Sequence, residues 1–429
     1  MAPTRLRSER ITKFPDSSLL NFKKQYSEIV ACVACDGSKL HEVIDLGQQP
    51  LANDYLQSRE IKHTFYPLRL MRCDFCFHSQ LSIAVSPDEL FRFYPYVSGT
   101  TKTLLSYFKQ FVEKSINMNF SGRKILEIAS NDGTLLKLFK EKGWKTLGVD
   151  PAINLLELSM KNGIRTIPEY FDMQLAETLA SDFDLIVAMN VFAHTQNPLE
   201  MLLSMKLCLS EEGLIAIQTS QADMFITNQF DTIYHEHISF FNVQSMKNLV
   251  KRCGLHLVGV EIVPIHGNSY IWWISKKAKH LDAFNPEVRS AFELDSGLHI
   301  DTTYYDFKLK SQARAVATRT LVEEYRNDGY KIIAYGAAAK GNTFLNFSGI
   351  TPDILIDDNP LKIGTISPLS SLEVKSSEVL SEFAQKCLFI IPAWNFKLEI
   401  REKLLGLRVF SSEDRTLVYF PELEVEKLR

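Results

Sequence analysis

Four side chains able to ionise or hydrogen-bond stand in a row at Tyr234-His235-Glu236-His237, outside any amphipathic pattern. Packing explains such a run poorly, whereas proton transfer needs these residue types close together, and histidine titrates nearest to neutral pH. A second polar group follows a candidate strand at Asn190-Val191-Phe192-Ala193-His194. His235 and His237 have H-x-H spacing, but no clear third metal ligand accompanies them, and a solvated loop is the plain alternative. A metal reading is far better founded at Cys32-Val-Ala-Cys35 and Cys73-Asp-Phe-Cys76. Two C-x-x-C pairs supply four thiolates for a tetrahedral, closed and therefore structural Zn²⁺ site. The gap between the pairs exceeds the common zinc-ribbon spacing, so an insertion lies there; within it Asp45 to Tyr55 reads as turn-rich and polar.

The elements that must position these groups centre on Lys124 to Pro151. An apolar strand, a turn holding Asn131, Asp132 and Gly133, a helix over about Thr134 to Lys142 and a strand ending at Asp150 make half of a nucleotide-binding α/β unit. Its turn, A-S-N-D-G, has one glycine and an acid where a pyrophosphate-binding turn has three glycines. An acidic turn repels phosphate and suits a cationic nucleoside, so S-adenosylmethionine is expected rather than NAD. Alternation continues with strands at Arg165 to Ile167, Phe183 to Val191 and Gly213 to Thr219, and helices at Leu199 to Leu209 and Val243 to Cys253. Two long strands, Leu255 to Ile265 and Ser269 to Lys276, flank a turn at His266-Gly267-Asn268. That closing hairpin fits a seven-stranded methyltransferase sheet and is not needed by a dehydrogenase.

After a helical stretch over Ala283 to Asp328 the α/β pattern restarts. Lys331 to Tyr335, Asp353 to Asp357 and Leu388 to Pro392 are strands, and Lys397 to Leu404 a helix. Small residues and Lys340 in the turn Gly336 to Asn342 suit an anion such as a diphosphate. Before the first unit, Tyr94 and Tyr96 flank Pro95, which disfavours helix and lets a phenol project.

Composition sets limits. At 429 residues the chain needs two or three domains. A net charge of −3 and pI near 6.4 give no footprint for nucleic acid, and seven cysteines do not suggest a disulfide framework. The longest apolar runs are far short of a membrane span, and the first thirty residues lack the apolar stretch of a signal peptide. A cytoplasmic monomer, with neither nucleic-acid nor membrane partner, is expected.

In this order, CVAC with CDFC, EIASNDGTLL, YHEHISFFN, and YGAAAKGNTFLN with IDDNP and WNF resemble the sugar C-methyltransferases that act on nucleotide-linked keto-deoxysugars, from about Cys32 to Glu422. The resemblance implies a zinc-binding domain, a class I methyltransferase core with a seven-stranded Rossmann-like sheet, and a second Rossmann-like α/β domain. The boundaries follow as a polar extension (1–30), zinc-binding domain (31–100), methyltransferase domain (101–280), helical connector (281–328) and C-terminal domain (329–429). It further implies methylation of a sugar carbon, typically C3, beside a 4-keto group, on a dTDP-linked or GDP-linked substrate. Carried over by position, the base is His237, supported by Tyr234 and Glu236, with His194 and either Tyr94 or Tyr96 also catalytic. Glu127, Ala129, Asn131, Asp132, Gly133, Asp150 and Asn190 are cofactor-binding candidates; Lys340, Asn342, Asp357 and Asn395 are substrate-binding ones. Since a regular strand would turn Glu236 and His237 to opposite faces, a bend is required there.

Three departures stand out: Ala129 replaces the usual glycine of E-I-G-x-N-D-G, H-G-G-S reads HGNS at His266 to Ser269, and the glycine of P-G-x-x-x-P is absent near Ile366 to Ser371. Two other function classes fit parts of the sequence: an O- or N-methyltransferase, and a zinc-knuckle binding protein with a degenerate cofactor fold.

Overall fold

A computed structural model of the chain describes residues 25–429 except 93, 95, 96, 101, 119, 221–223, 266, 280, 383, 384, 408–410 and 429. Tyr96 and His266 thus lie outside the described residues.

In the N-terminal domain, β1 (Leu40–Pro50), β2 (Phe65–Cys73) and β3 (Ser79–Leu81) form an antiparallel sheet with the cysteines at its end. The turn-rich reading of Asp45 to Tyr55 needs correcting: Asp45 to Pro50 continue β1. Register shifts on either side of Asp45 and a positive φ of 78° at Gly47 absorb the residues that look like a turn. Ile44, Leu46, Leu68 and Leu70 are buried, in one apolar cluster with Phe307 and Phe344 from the C-terminal part of the chain.

A helix unmarked in the sequence pattern, α1 (Lys102–Ile116), opens the central domain, burying Leu104, Phe108, Phe111 and Val112 at helical spacing. Then come β4 (Lys124–Ile128), α2 (Thr134–Glu141), β5 (Lys145–Val149), β6 (Thr166–Ile167), β7 (Phe183–Met189) and β8 (Leu209–Ser220). The next strand, β9 (Ser239–Phe240), leaves this sheet and pairs with β3, so the zinc-binding sheet runs β9-β3-β2-β1. After α3 (Val243–Arg252), β10 (His256–Val263) and β11 (Ser269–Ser275) complete the central sheet in the order β10-β11-β8-β7-β4-β5-β6. β11 is antiparallel to both neighbours and the five strands β4 to β8 pair in parallel, which is the class I methyltransferase topology expected from the hairpin. The continuous apolar run of β7 sits mid-sheet, buried on both faces.

The long helix α4 (Asp301–Asn327) leads into β12 (Lys331–Tyr335), α5 (Ala339–Ser348), β13 (Ile354–Ile356), β14 (Val374–Lys375), β15 (Cys387–Ile390), β16 (Arg415–Val418) and β17 (Glu424–Lys427). Their order, β14-β13-β12-β15-β16-β17, is a second doubly wound sheet with an antiparallel edge. Among the described residues no helix is long and apolar enough to cross a membrane.

Candidate active site

The carboxyl ends of β4, β5 and β7 open onto a cavity of about 710 Å³ whose walls come from all three domains. Its first corner is acidic. Glu127 ends buried on β4 with Oε2 unpartnered among the described residues, and burial, with Asp132 and Asp150 nearby, holds its carboxyl well above the usual range. A carboxylate in that position is costly unless a cation meets it. The sulfonium and amino group of S-adenosylmethionine supply such a cation, so the residues present fit that cofactor.

The turn around this corner is held in an unusual backbone shape. Ala129, Asn131 and Gly133 have φ of 58°, 51° and 74°, and Asn190 at the end of β7 has 56°. Gly133 is required: a Cβ there would meet Ile164 at about 3.0 Å. Asp150 fastens the turn, accepting the Asn131 N–H at 2.7 Å on one oxygen and the Ala152 N–H at 2.8 Å on the other. The Asn131 and Asp132 side chains accept the N–H groups of Ser98 and Gly99, both at 3.0 Å, and so draw the segment before α1 over the turn. Glu127, Ala129, Asn131, Asp132, Asp150 and Asn190 all line the cavity; Gly133 shapes it from behind.

The run Tyr234 to His237 is a turn, closed by the His237 N–H on the Tyr234 carbonyl at 2.8 Å. The expected bend is present, but it does not bring Glu236 and His237 to one face: His237 lines the cavity and Glu236 does not. His237 Nδ1 lies 2.8 Å from the Thr232 carbonyl oxygen. A carbonyl only accepts, so Nδ1 carries the proton and Nε2 presents its lone pair, where the Tyr234 hydroxyl donates at 2.8 Å. His194 stacks on His237 with ring centroids 5.2 Å apart, and Phe91 stacks on His194. Burial lowers the His194 pKa to about 4, so this second imidazole stays neutral beside the first. Tyr234, His237, His194 and Tyr94 line the cavity.

Glu236 stands behind the wall. Its Oε1 accepts from Asn53 Nδ2 at 2.6 Å and its Oε2 from the Tyr94 hydroxyl at 3.1 Å. Burial raises its pKa to about 7, partly offset by these two donors. His235 faces the other way, edge-on to Tyr66, with both ring nitrogens unpartnered among the described residues and its pKa lowered by burial to about 4. The H-x-H pair therefore makes no metal site; among the described residues the four cysteines alone cluster as ligands.

The C-terminal domain contributes two lysines to the wall, Lys362 with the Asp357 carboxylate 3.9 Å away and Lys340 near the buried Asp231. Lys340, at the start of α5, and Lys362 both line the cavity, as does Asn395. Lys362 donates to the Ala337 carbonyl at 2.6 Å and lies over the Tyr55 ring. It was not a candidate in the sequence, where a lone lysine after IDDNP carries no signal. Asp357 and Asn342 are absent from the wall. Asp357 accepts the N–H groups of Ala337 and Asn359, both at 2.8 Å, while Asn342 donates to the Ala52 carbonyl at 2.9 Å and the Tyr55 hydroxyl at 3.1 Å. Each is consumed in holding backbone or joining domains.

In the N-terminal domain the sulfurs of Cys32, Cys35, Cys73 and Cys76 lie within 4.8 Å of one another, with two pairs at 3.6 Å. Four Zn–S bonds of about 2.3 Å in a tetrahedron place sulfurs about 3.8 Å apart, so the cluster fits a closed Zn²⁺ site.

Known families match this architecture domain by domain: a zinc binding domain over residues 32–91, a methyltransferase domain over 100–260 and a C-methyltransferase C-terminal domain over 264–421. The chain is an S-adenosylmethionine-dependent methyltransferase, similar in each of its three parts to C-methyltransferases. It is 28% identical to C-methyltransferase NovU of Streptomyces niveus over 382 residues, 86% of this chain and 90% of that one. Among solved structures, an Archaeoglobus fulgidus SAM-dependent methyltransferase is 15% identical, with 45% of this chain and 86% of that one covered and a TM-score of 0.33. The magnesium protoporphyrin IX methyltransferase of Synechocystis PCC 6803 is 10% identical, covering 41% and 79%, with a TM-score of 0.31. At such scores the fold assignment rests on the strand order of this methyltransferase itself. A non-catalytic zinc-knuckle protein with a degenerate cofactor fold is thereby set aside.

Proposed function

We propose that this methyltransferase methylates a carbon beside the ketone of a nucleotide-linked 4-keto-deoxysugar, typically C3. The observation that carries the reading is His237, with its tautomer fixed by Thr232 and Nε2 within reach of Tyr234, on the wall of a cavity whose lining holds Glu127, Asp132 and Asp150 as well as Lys340 and Lys362. Carbon has no lone pair, so a proton must leave before it can attack, and an adjacent carbonyl makes that loss possible. His237 Nε2 takes the proton while the C–H electron pair moves into the enolate. Tyr234, in contact with the base, and the neutral His194 are the nearest donors for the developing oxygen charge. S-adenosylmethionine supplies an electrophilic methyl group when bound against Glu127 and the 129–133 turn.

The remaining protein contribution is position and exclusion of water. Lys340 and Lys362 hold the diphosphate that joins nucleotide to sugar, and Asn395 lines the same side. A dTDP-linked acceptor is the first choice and a GDP-linked one the second. Mass spectrometry of the methyltransferase in heavy water, with S-adenosylmethionine and a panel of dTDP- and GDP-4-keto-6-deoxysugars, tests this. A product heavier by one methylene, reduced about 10²- to 10⁴-fold in His237→Ala, is expected. Deuterium should also enter unmethylated acceptor only when His237 is present. Methylation undiminished in the variant, or transfer to oxygen or nitrogen, would sink the reading.

A further inference from the structure

The insertion between the cysteine pairs has so far had no chemical role. Leaving β1, it crosses to the C-terminal domain: the Tyr55 hydroxyl donates to the Ala337 carbonyl at 2.5 Å, Leu56 bridges Ile366, and His63 sits between the Asp54 carboxylate at 2.9 Å and the Ser367 carbonyl at 3.0 Å. A loop held at so many points places one side chain, Asn53, in the cavity wall.

Asn53 is oriented by chemistry as well as by its loop. An ionised carboxylate only accepts, so the amide nitrogen must be the atom 2.6 Å from Glu236 Oε1. Oδ1 is then the face left for the cavity, and no described group donates to it. The Tyr94 hydroxyl, bound to the other Glu236 oxygen, is held in the same way. Glu236 does not reach the cavity, but it sets the orientation of two groups that do. A carbonyl oxygen presented on a wall selects a hydrogen-bond donor. In the keto-deoxysugar proposed above the ring hydroxyls are such donors.

We infer that Asn53, supplied by the zinc-binding domain, determines specificity by accepting a hydrogen bond from a hydroxyl of the methyl acceptor. The inference rests on the keto-sugar reading above and adds to it the group that is recognised. It also gives the insertion a purpose: the loop carries a reading residue into a site built between the other two domains.

The test compares full-length wild type with Asn53→Leu, which keeps the volume and removes both polar atoms. Acceptors are dTDP-4-keto-6-deoxyglucose and analogues lacking one ring hydroxyl at a time. Wild type should prefer the hydroxylated acceptor over one analogue by about 10- to 10²-fold in kcat/KM. In Asn53→Leu that preference should collapse to within about threefold, mainly through KM, with S-adenosylmethionine affinity by calorimetry unchanged within about twofold. Should the Leu variant fail to bind S-adenosylmethionine, Asn53→Ala carries the same expectation. If the preference survives substitution and all acceptors slow equally with a displaced pH profile, Asn53 merely supports Glu236 and the inference is wrong, while the keto-sugar reading stands. If wild type methylates none of the acceptors, that reading falls and takes the inference with it.

Discussion

The two Rossmann-like domains use one backbone design and opposite charge. In the first, Asp150 ends the second strand and ties down the turn through the N–H groups of Asn131 and Ala152; in the second, Asp357 does the same through Ala337 and Asn359. Even the residue after the first strand matches, with Ala129 N–H on the Val149 carbonyl and Gly336 N–H on the Ile356 carbonyl, both at 2.7 Å. What differs is the side chains around the cavity. The first domain contributes Glu127, Asp132 and Asp150 to the cavity lining, whereas the second contributes Lys340 and Lys362. The fold provides the opening at the strand ends, and the side chains give the two openings different charge.

The largest effect should come from the domain that touches both. Stripping the metal with a chelator, or Cys73→Ser, should unfold the zinc-binding sheet and lower methyl transfer by about 10²-fold or more, read as turnover against bound zinc. Full activity without zinc would show that the two α/β domains form the site unaided. Next come the charges. Glu127→Gln should weaken S-adenosylmethionine binding by about 10-fold or more and leave dTDP binding alone; Lys340→Gln paired with Lys362→Gln should do the reverse, both by calorimetry. A variant that weakens both ligands equally would break the contrast between the two domains.

Glu236 sharpens it at the junction. Burial raises its folded pKa from 4.5 to about 7, so between those values the folded chain binds a proton that the unfolded chain has released. Stability should therefore fall as pH rises across that window, by about 1–3 kcal/mol, and this slope should vanish in Glu236→Gln when denaturant unfolding is followed against pH. Activity should move oppositely, rising through pH about 7 as the carboxylate forms and holds Asn53 and Tyr94. The smallest effect separates the matched turns. Ala129 has φ 58° and Gly336 φ 110°, so Ala129→Gly should stabilise by about 0.5–1 kcal/mol, while Gly336→Ala should destabilise by about 1–2 kcal/mol, read from thermal melts. Equal shifts would mean that the two turns are under the same strain.

Much of this was legible in the sequence because it is local. The C-x-x-C pairs, the strand-turn-helix around Ala129 and the β10–β11 hairpin each announce themselves within a few residues; a bend at Glu236 is also expected, but not that it leaves Glu236 off the cavity wall. Cavity residues whose importance depends on distant partners gave no such signal. Asn53 reaches the cavity lining bonded to Glu236, 183 positions away, and Lys362 reaches the same lining from the C-terminal domain. Asp357 and Asn342 mislead for the complementary reason: a polar residue beside a turn looks free to bind ligand until its backbone partners are known. The Asp45 to Pro50 stretch also misleads, since a bulge around Gly47 looks like a loop when only residue types are read.

The pairing of β9 with β3 moves the practical seam of the molecule. Two residues after His237, the chain lends a strand to the N-terminal sheet, and six residues before that histidine Asp231 accepts a hydrogen bond at 2.8 Å from Trp394 of the C-terminal domain. A chimera cut at the linkers would inherit the 234–237 turn moored to foreign neighbours on both sides. Domain exchange in this methyltransferase should succeed only when residues 230–240 travel with the sheet and the helix that anchor them, as one transplantable cassette.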